Sequence, residues 1–184
     1  ADRAVHVGNS GLEGADSLTV AKVLAQVIKK ENADVVFCGR QGIDDDNMHV
    51  HVMVAELLSW PHVNVASKLE YNEGAIKASR EVEGGQVETY DVTTPAVIGA
   101  HKSLNTPRYA SLPGIMKAKR KPFEKLSLEE LDLNAAELSQ KVQTQIVKYN
   151  YPPEKPSGKI LKGEDLEIMV DKVVSYLKNE AKVL

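Results

Sequence analysis

One stretch constrains the fold more than any other. Between Ser17 and Leu58 an amphipathic helical pattern runs straight into a short apolar β-type run, a glycine-bearing loop and a second helical pattern. From Leu18 to Lys30 the residues Val20, Val23, Leu24, Val27 and Ile28 recur at helical spacing, with Asp16 or Ser17 placed to cap the first turn. Asp34 to Cys38 (DVVFC) then reads as a buried strand, and Met48 to Leu58 as a helix. A helix delivered directly into a buried strand predicts an α/β domain with a parallel sheet. The loop Gly39 to Asn47 leaves the carboxyl end of that strand, where open α/β sheets bind ligands.

The flanking segments complete the outline. Residues 1–7 read as a strand, and residues 8–16 are turn-rich. Pro61–Glu70, Ala75–Glu83, Gln86–Val92 and Ala96–Gly99 read as a β-meander whose turns are Asn72-Glu73-Gly74 and Gly84-Gly85. A basic, irregular stretch from Pro107 to Lys125 holds a short helix near Leu112–Ala118, and Ser127–Leu131 forms a capped turn. Lys141–Tyr149 has β character, and the Pro-rich segment 151–158 should be extended without regular structure. Gly163–Leu177 closes the chain as an amphipathic helix.

Composition removes several function classes. The 184 residues are 42% hydrophobic and carry a net charge of −3, enough to bury a core and not basic enough to suggest nucleic acid. No apolar run approaches the ~20 residues of a membrane helix, so direct membrane insertion is not expected. The residues at the start show no targeting pattern. A single cysteine, Cys38, permits no internal disulfide and points to a reducing compartment. It sits in an apolar run as a small hydrophobe.

Two segments carry candidate chemistry. In Gly39-Arg40-Gln41-Gly42-Ile43-Asp44-Asp45-Asp46-Asn47 glycines allow close backbone approach, the following helix start offers free N–H groups to a phosphate, and Gln41 and the aspartates can bond adenine or ribose. The competing reading is that Asp44–Asp46 simply cap the helix. A metal centre is not expected. His49 and His51 do not share a helix face, no H-x-x-x-H or cysteine pair occurs, and the spaced carboxylates of a calcium loop are missing. No nucleophile elbow is present either. The second segment, Pro107 to Lys121, sets Leu112, Ile115 and Met116 beside Lys117, Lys119, Arg120 and Lys121. It is either an apolar anchor in a basic rim or a core-facing helical turn followed by solvated lysines.

Over nearly its whole length the chain resembles the β subunit of electron transfer flavoproteins. ADRAVHV, GRQGIDDD, REVEGGQVET, TPAVIGA and NTPRYASLPGIMKAKRKP stand in the family's order. The resemblance implies a Rossmann-like, three-layer adenine-nucleotide-binding domain over 1–125 and a C-terminal arm over 126–184 that contacts an α subunit. It implies a heterodimer whose redox-active FAD is held mainly by the α subunit. It further implies an electron-carrier subunit that is not a catalyst by itself. A structural AMP is expected at Gly39, Gln41, Gly42, Asp45, Met48, His49 and Val50, or a second FAD there if the carrier is electron-bifurcating. Arg80 and Glu81 correspond to the contact with the α subunit. Tyr109, Leu112, Pro113, Ile115, Met116, Lys117, Lys119 and Arg120 correspond to the docking loop for flavin dehydrogenases such as acyl-CoA dehydrogenases, with a quinone-linked oxidoreductase downstream. A bacterial cytoplasm is the favoured location, or the mitochondrial matrix in a eukaryote.

The chain departs from the family at Met48-His49-Val50-His51, where AMP-binding relatives carry N-Q-T-G or N-A-T-G. The acidic run is of the AMP type. Family members are expected to hold roughly 60–70 residues before the segment matching Ala1, including a first strand. Rival readings are a stand-alone adenine-nucleotide-binding regulatory domain and a metal-dependent phosphohydrolase using Asp44–Asp46.

Overall fold

A computed structural model describes residues 1–8, 10–155 and 157–184. Asn9 of the turn-rich segment and Pro156 of the Pro-rich segment lie outside the described residues. The chain divides into two compact units, Ala1–Gln145 and Ile146–Leu184.

The first unit is an α/β domain of the Rossmann-like kind, as expected. Strand β1 (Ala4–Val7) is followed by helix α1 (Ser17–Glu31) and strand β2 (Val35–Gly39). Asp16 caps α1 by accepting the Thr19 N–H at 2.8 Å, and Asn32 ends it in the left-handed conformation. Helix α2 (Val50–Leu58) leads into β3 (His62–Asn72), β4 (Ala75–Glu81) and β5 (Val87–Thr93). These three form the anticipated antiparallel meander. Its turns need positive φ, supplied at Glu73 and Gly74 (24° and 85°) and at Gly84 and Gly85 (75° and 73°).

The next strand, β6 (Ala96–Ala100), is not a fourth meander strand. The sheet order is β2-β6-β3-β4-β5, with β6 parallel to both of its neighbours. The physical reason lies in its sequence, AVIGA. A strand apolar on both faces suits the interior of a sheet covered on both sides. Val97 packs with Ala21, Val54 and Ala55 on the helical side, while Ala96 and Ile98 pack with Val63, Ala66, Ile76, Ala78 and Val92 on the other. The sheet is therefore mixed: parallel at β2, β6 and the start of β3, antiparallel beyond.

β1 pairs in parallel with β7 (Phe123–Leu126) as a second, two-stranded sheet. Sequence reading missed β7, because a short, mostly exposed FEKL shows no alternation that patterning can detect. Helix α1 packs on both sheets. Val23 joins Leu126, Leu128, Leu131 and Leu138, whereas Ala21 joins the core beneath α2. A reciprocal capping box, Ser127 with Glu130, starts the short 3₁₀ turn Glu129–Leu131. Between these strands lies α3 (Leu112–Ala118), and α4 (Ala135–Gln140), also unanticipated, follows the turn.

Residues 141–149 do not form the expected strand. Lys141 closes α4, and no strand pairs with the segment among the described residues. β-propensity without a neighbouring ladder leaves the backbone to water. In the second unit, α5 (Leu166–Asn179) begins three residues later than expected, at the Asp165 cap. None of its residues is buried. No described helix is long and apolar enough to cross a membrane.

Candidate nucleotide and docking sites

The loop after β2 lines an open hollow of about 490 Å³. All seven residues expected to hold a nucleotide border it: Gly39, Gln41, Gly42, Asp45, Met48, His49 and Val50. Ala15, Asp16, Ser17 and Val20 close its far side. Sequence reading did not find this second wall. The parallel connections bring the starts of α1 and α2 to the same edge of the sheet, and only topology shows that.

The aspartate run does not cap α2. Residues 43–45 form a turn, and the helix starts at Val50, two residues later than expected. Asp46 and Met48 both take left-handed backbone, with φ of 56° and 55°, which holds the chain out of the helix until His49. The Asp46 N–H donates to the Gly42 carbonyl at 3.1 Å, and its carboxylate accepts from Gln41 Nε2. His49 occupies the cap position without a side-chain cap bond, and no acidic residue lies in the first turn. The start of α2 thus has no side-chain cap, and His49, Val50 and His51 border the hollow. Asp16 is polarised in the opposite sense. Burial pushes its carboxyl up, but the Gln143 and Thr19 donors, with Lys22 nearby, outweigh this and hold it below the usual carboxylate range. Burial pushes the Cys38 thiol up, in keeping with an inert hydrophobe.

His51 is 3% exposed, and its Nε2 meets Asn64 Oδ1 at 2.7 Å. The ring lies over Gly99 of β6, where a Cβ would fall 2.8 Å from two ring atoms. His49 and His62, by contrast, are exposed. Among the described residues no three His, Cys, Asp or Glu side chains converge on a metal position. Asn64 faces a second hollow of about 460 Å³, shared with Arg80, Glu81 and His101 and bordered by Arg40, which also lines the first.

Arg80 and Glu81 behave differently. Arg80 is committed to Glu88 by two contacts of 2.8 Å and lies over the Tyr90 ring, while Tyr90 donates its hydroxyl to the same carboxylate at 2.6 Å. Glu81, at the end of β4, is exposed and makes no ion pair among the described residues.

The docking segment stands clear of the core. Ser111 caps α3 by accepting the Gly114 N–H at 3.2 Å, and Pro113 sits in the first turn, where its missing donor costs nothing. No residue of α3 is buried, so the core-facing reading of this turn fails. Leu112 is 74% exposed, Tyr109 is fully exposed, and Ile115 and Met116 are about half exposed. Lys117, Lys119 and Arg120 follow at the end of the helix, all exposed. Lys121 folds back on Asp2 at 3.7 Å.

A family model described as electron transfer flavoprotein domain matches residues 1–131. The chain is 39% identical over 165 residues to an electron transfer flavoprotein subunit beta of Methylophilus methylotrophus, covering 89% of this chain and 62% of that protein. It is 40% identical to the mitochondrial subunit beta of Arabidopsis thaliana and 39% identical to the subunit beta of Bacillus subtilis. Both matches cover all of this chain, and 68% and 70% of those proteins respectively. The chain thus spans about two thirds of the length of the curated relatives it matches.

Proposed function

The chain belongs to the electron transfer flavoprotein family, among its β subunits, and we propose that it works as the docking and scaffolding half of a heterodimeric, non-bifurcating carrier. Electrons would pass from a flavin dehydrogenase, of which acyl-CoA dehydrogenases are the leading candidates, through the α-subunit FAD to a quinone-linked oxidoreductase. The observation that carries this reading is α3. A capped helix displays an exposed leucine at its head, carries exposed cations at and just past its other end, and contributes nothing to the core. Such a patch makes sense as an anchor for a partner with an apolar pocket and an acidic rim.

The first hollow supports an adenine mononucleotide. The uncapped amides of α2 and the exposed His49 suit a phosphate, and the aspartates of the 43–45 turn suit ribose hydroxyls. AMP bound there would be structural, supplying charge and hydrogen-bond partners and no redox chemistry. Glu81, exposed and unpaired among the described residues, is the side chain proposed to meet the α subunit. Residues 126–184 are proposed to act as the family's arm. The apolar stripe of α5 would lie on that partner. The reducing compartment suggested by Cys38 would be a bacterial cytoplasm or a mitochondrial matrix.

The test is the flavin and nucleotide content of the chain purified with its α subunit. One FAD and one AMP per heterodimer are expected. Two flavins would instead indicate a bifurcating carrier. Leu112→Ala should weaken dehydrogenase coupling about 30-fold, the scale of truncating an interface anchor. Unchanged coupling would remove α3 from the docking role.

A further inference from the structure

We propose that His51 and Asn64 form a positioning pair that sets the nucleotide hollow from beneath, so that Asn64 controls nucleotide affinity without meeting the nucleotide. The proposal rests on the reading of the first hollow as an adenine-mononucleotide site. His51 is the second residue of α2 and borders the first hollow. Its ring packs against Gly99 of β6. There it is buried and bonded at 2.7 Å to Asn64, which stands on the second hollow and outside the first.

Three features hold the pair in one place. Gly99 lets the ring approach β6, since a Cβ there would lie 2.8 Å from Cδ2 and Nε2 and 3.0 Å from Asn64 Oδ1. Asn64 begins a bulge in β3, where register with β6 shifts between Val63 and Ala66. The next residue, Val65, has a φ of 59°, a strained conformation for a β-branched side chain. The bulge is held on both sides, by the Val63–Ile98 register and by the His101 N–H donating to the Ala66 carbonyl at 2.9 Å. It therefore presents Asn64 at a defined place. His49 makes no cap bond, so this buried bridge anchors the start of α2 to the sheet. Sequence patterning could not find it. The two residues lie 13 apart on different elements.

The experiment is calorimetric titration of the full chain with AMP, in wild type, Asn64→Leu and Asn64→Asp. Asn64→Leu leaves the His51 ring donor buried and unpaired and should weaken AMP binding about tenfold. Asn64→Asp keeps an acceptor at the same reach and should restore most of the affinity. Asn64→Ala reads the same loss if the leucine variant does not fold. In ¹⁵N spectra of the ring, AMP should shift the His51 signal in wild type and Asn64→Asp but not in Asn64→Leu. Wild-type affinity in a folded Asn64→Leu, or no recovery in Asn64→Asp, overturns the pair alone. Absence of AMP binding by wild type overturns the reading of the hollow and the pair together.

Discussion

Gly99 and Asp16 show how single residues set the two walls of the nucleotide hollow. At Gly99 the absent Cβ makes room for the His51 ring, so a methyl group must displace either a buried imidazole or the strand. Gly99→Ala should therefore cost about 1–3 kcal/mol of stability, measured by denaturant unfolding, although alanine is the better strand former of the two. Asp16 does two things at once: it ends the orphan amides of α1 and accepts the Gln143 N–H at 2.8 Å, tying residue 143 to the helix start. Its folded pKa is depressed. The stabilisation it contributes is thus fully present above the unfolded value of about 3.9 and is lost as pH falls through the lower folded value. Asp16→Asn keeps the cap acceptor and removes the charge. Its acid unfolding should be less steep below about pH 4 than that of the wild type, followed by circular dichroism. The cap itself was legible in the sequence, because aspartate before an amphipathic run has a local cause. The Gln143 contact was not, because it joins residues 127 positions apart.

At the scale of elements, local pattern and partner availability divide the outcome. α1, β2 and the hairpin turns follow from residues within a few positions of one another, and all form where expected. β6 and residues 141–149 show the other case. Both carry β-type residues, yet β6 finds two parallel neighbours and becomes an interior strand of the sheet, while 141–149 finds none among the described residues and stays irregular. α5 lies between these cases. Its periodicity produces a helix, but its apolar stripe is left uncovered, with Val170, Val173 and Val174 each about half exposed. Replacing Val173 and Val174 together by aspartate should leave the unfolding transition of the 1–145 unit within about 0.5 kcal/mol of wild type. The same change should weaken association with the α subunit, measured by gel filtration of the co-expressed pair. A large loss of stability would show that the stripe serves the chain's own core.

For the molecule as a whole, the net charge of −3 conceals separated charge. Cations gather at 117–121 beside α3, and carboxylates at 44–46 by the first hollow. Steering by the basic segment predicts that association with a dehydrogenase slows as ionic strength rises, whereas the contact made by Leu112 governs dissociation. Stopped-flow rates in a salt series separate the two. The sequence by itself determined the α/β class, the principal helices and strands, the loop that borders the hollow and the place of the short helix near 112–118, because each depends on spacing within a short window; that this helix faces solvent and not the core was decided by the structure. The sequence also carried the family resemblance, over nearly all of its length. Only the tertiary structure decided that β6 lies between β2 and β3, that the aspartates turn away from α2, and that α1 supplies the second wall of the hollow. It alone joined His51 to Asn64 across Gly99. These are contacts between distant residues, and their energies come from burial and hydrogen bonding that no local pattern encodes.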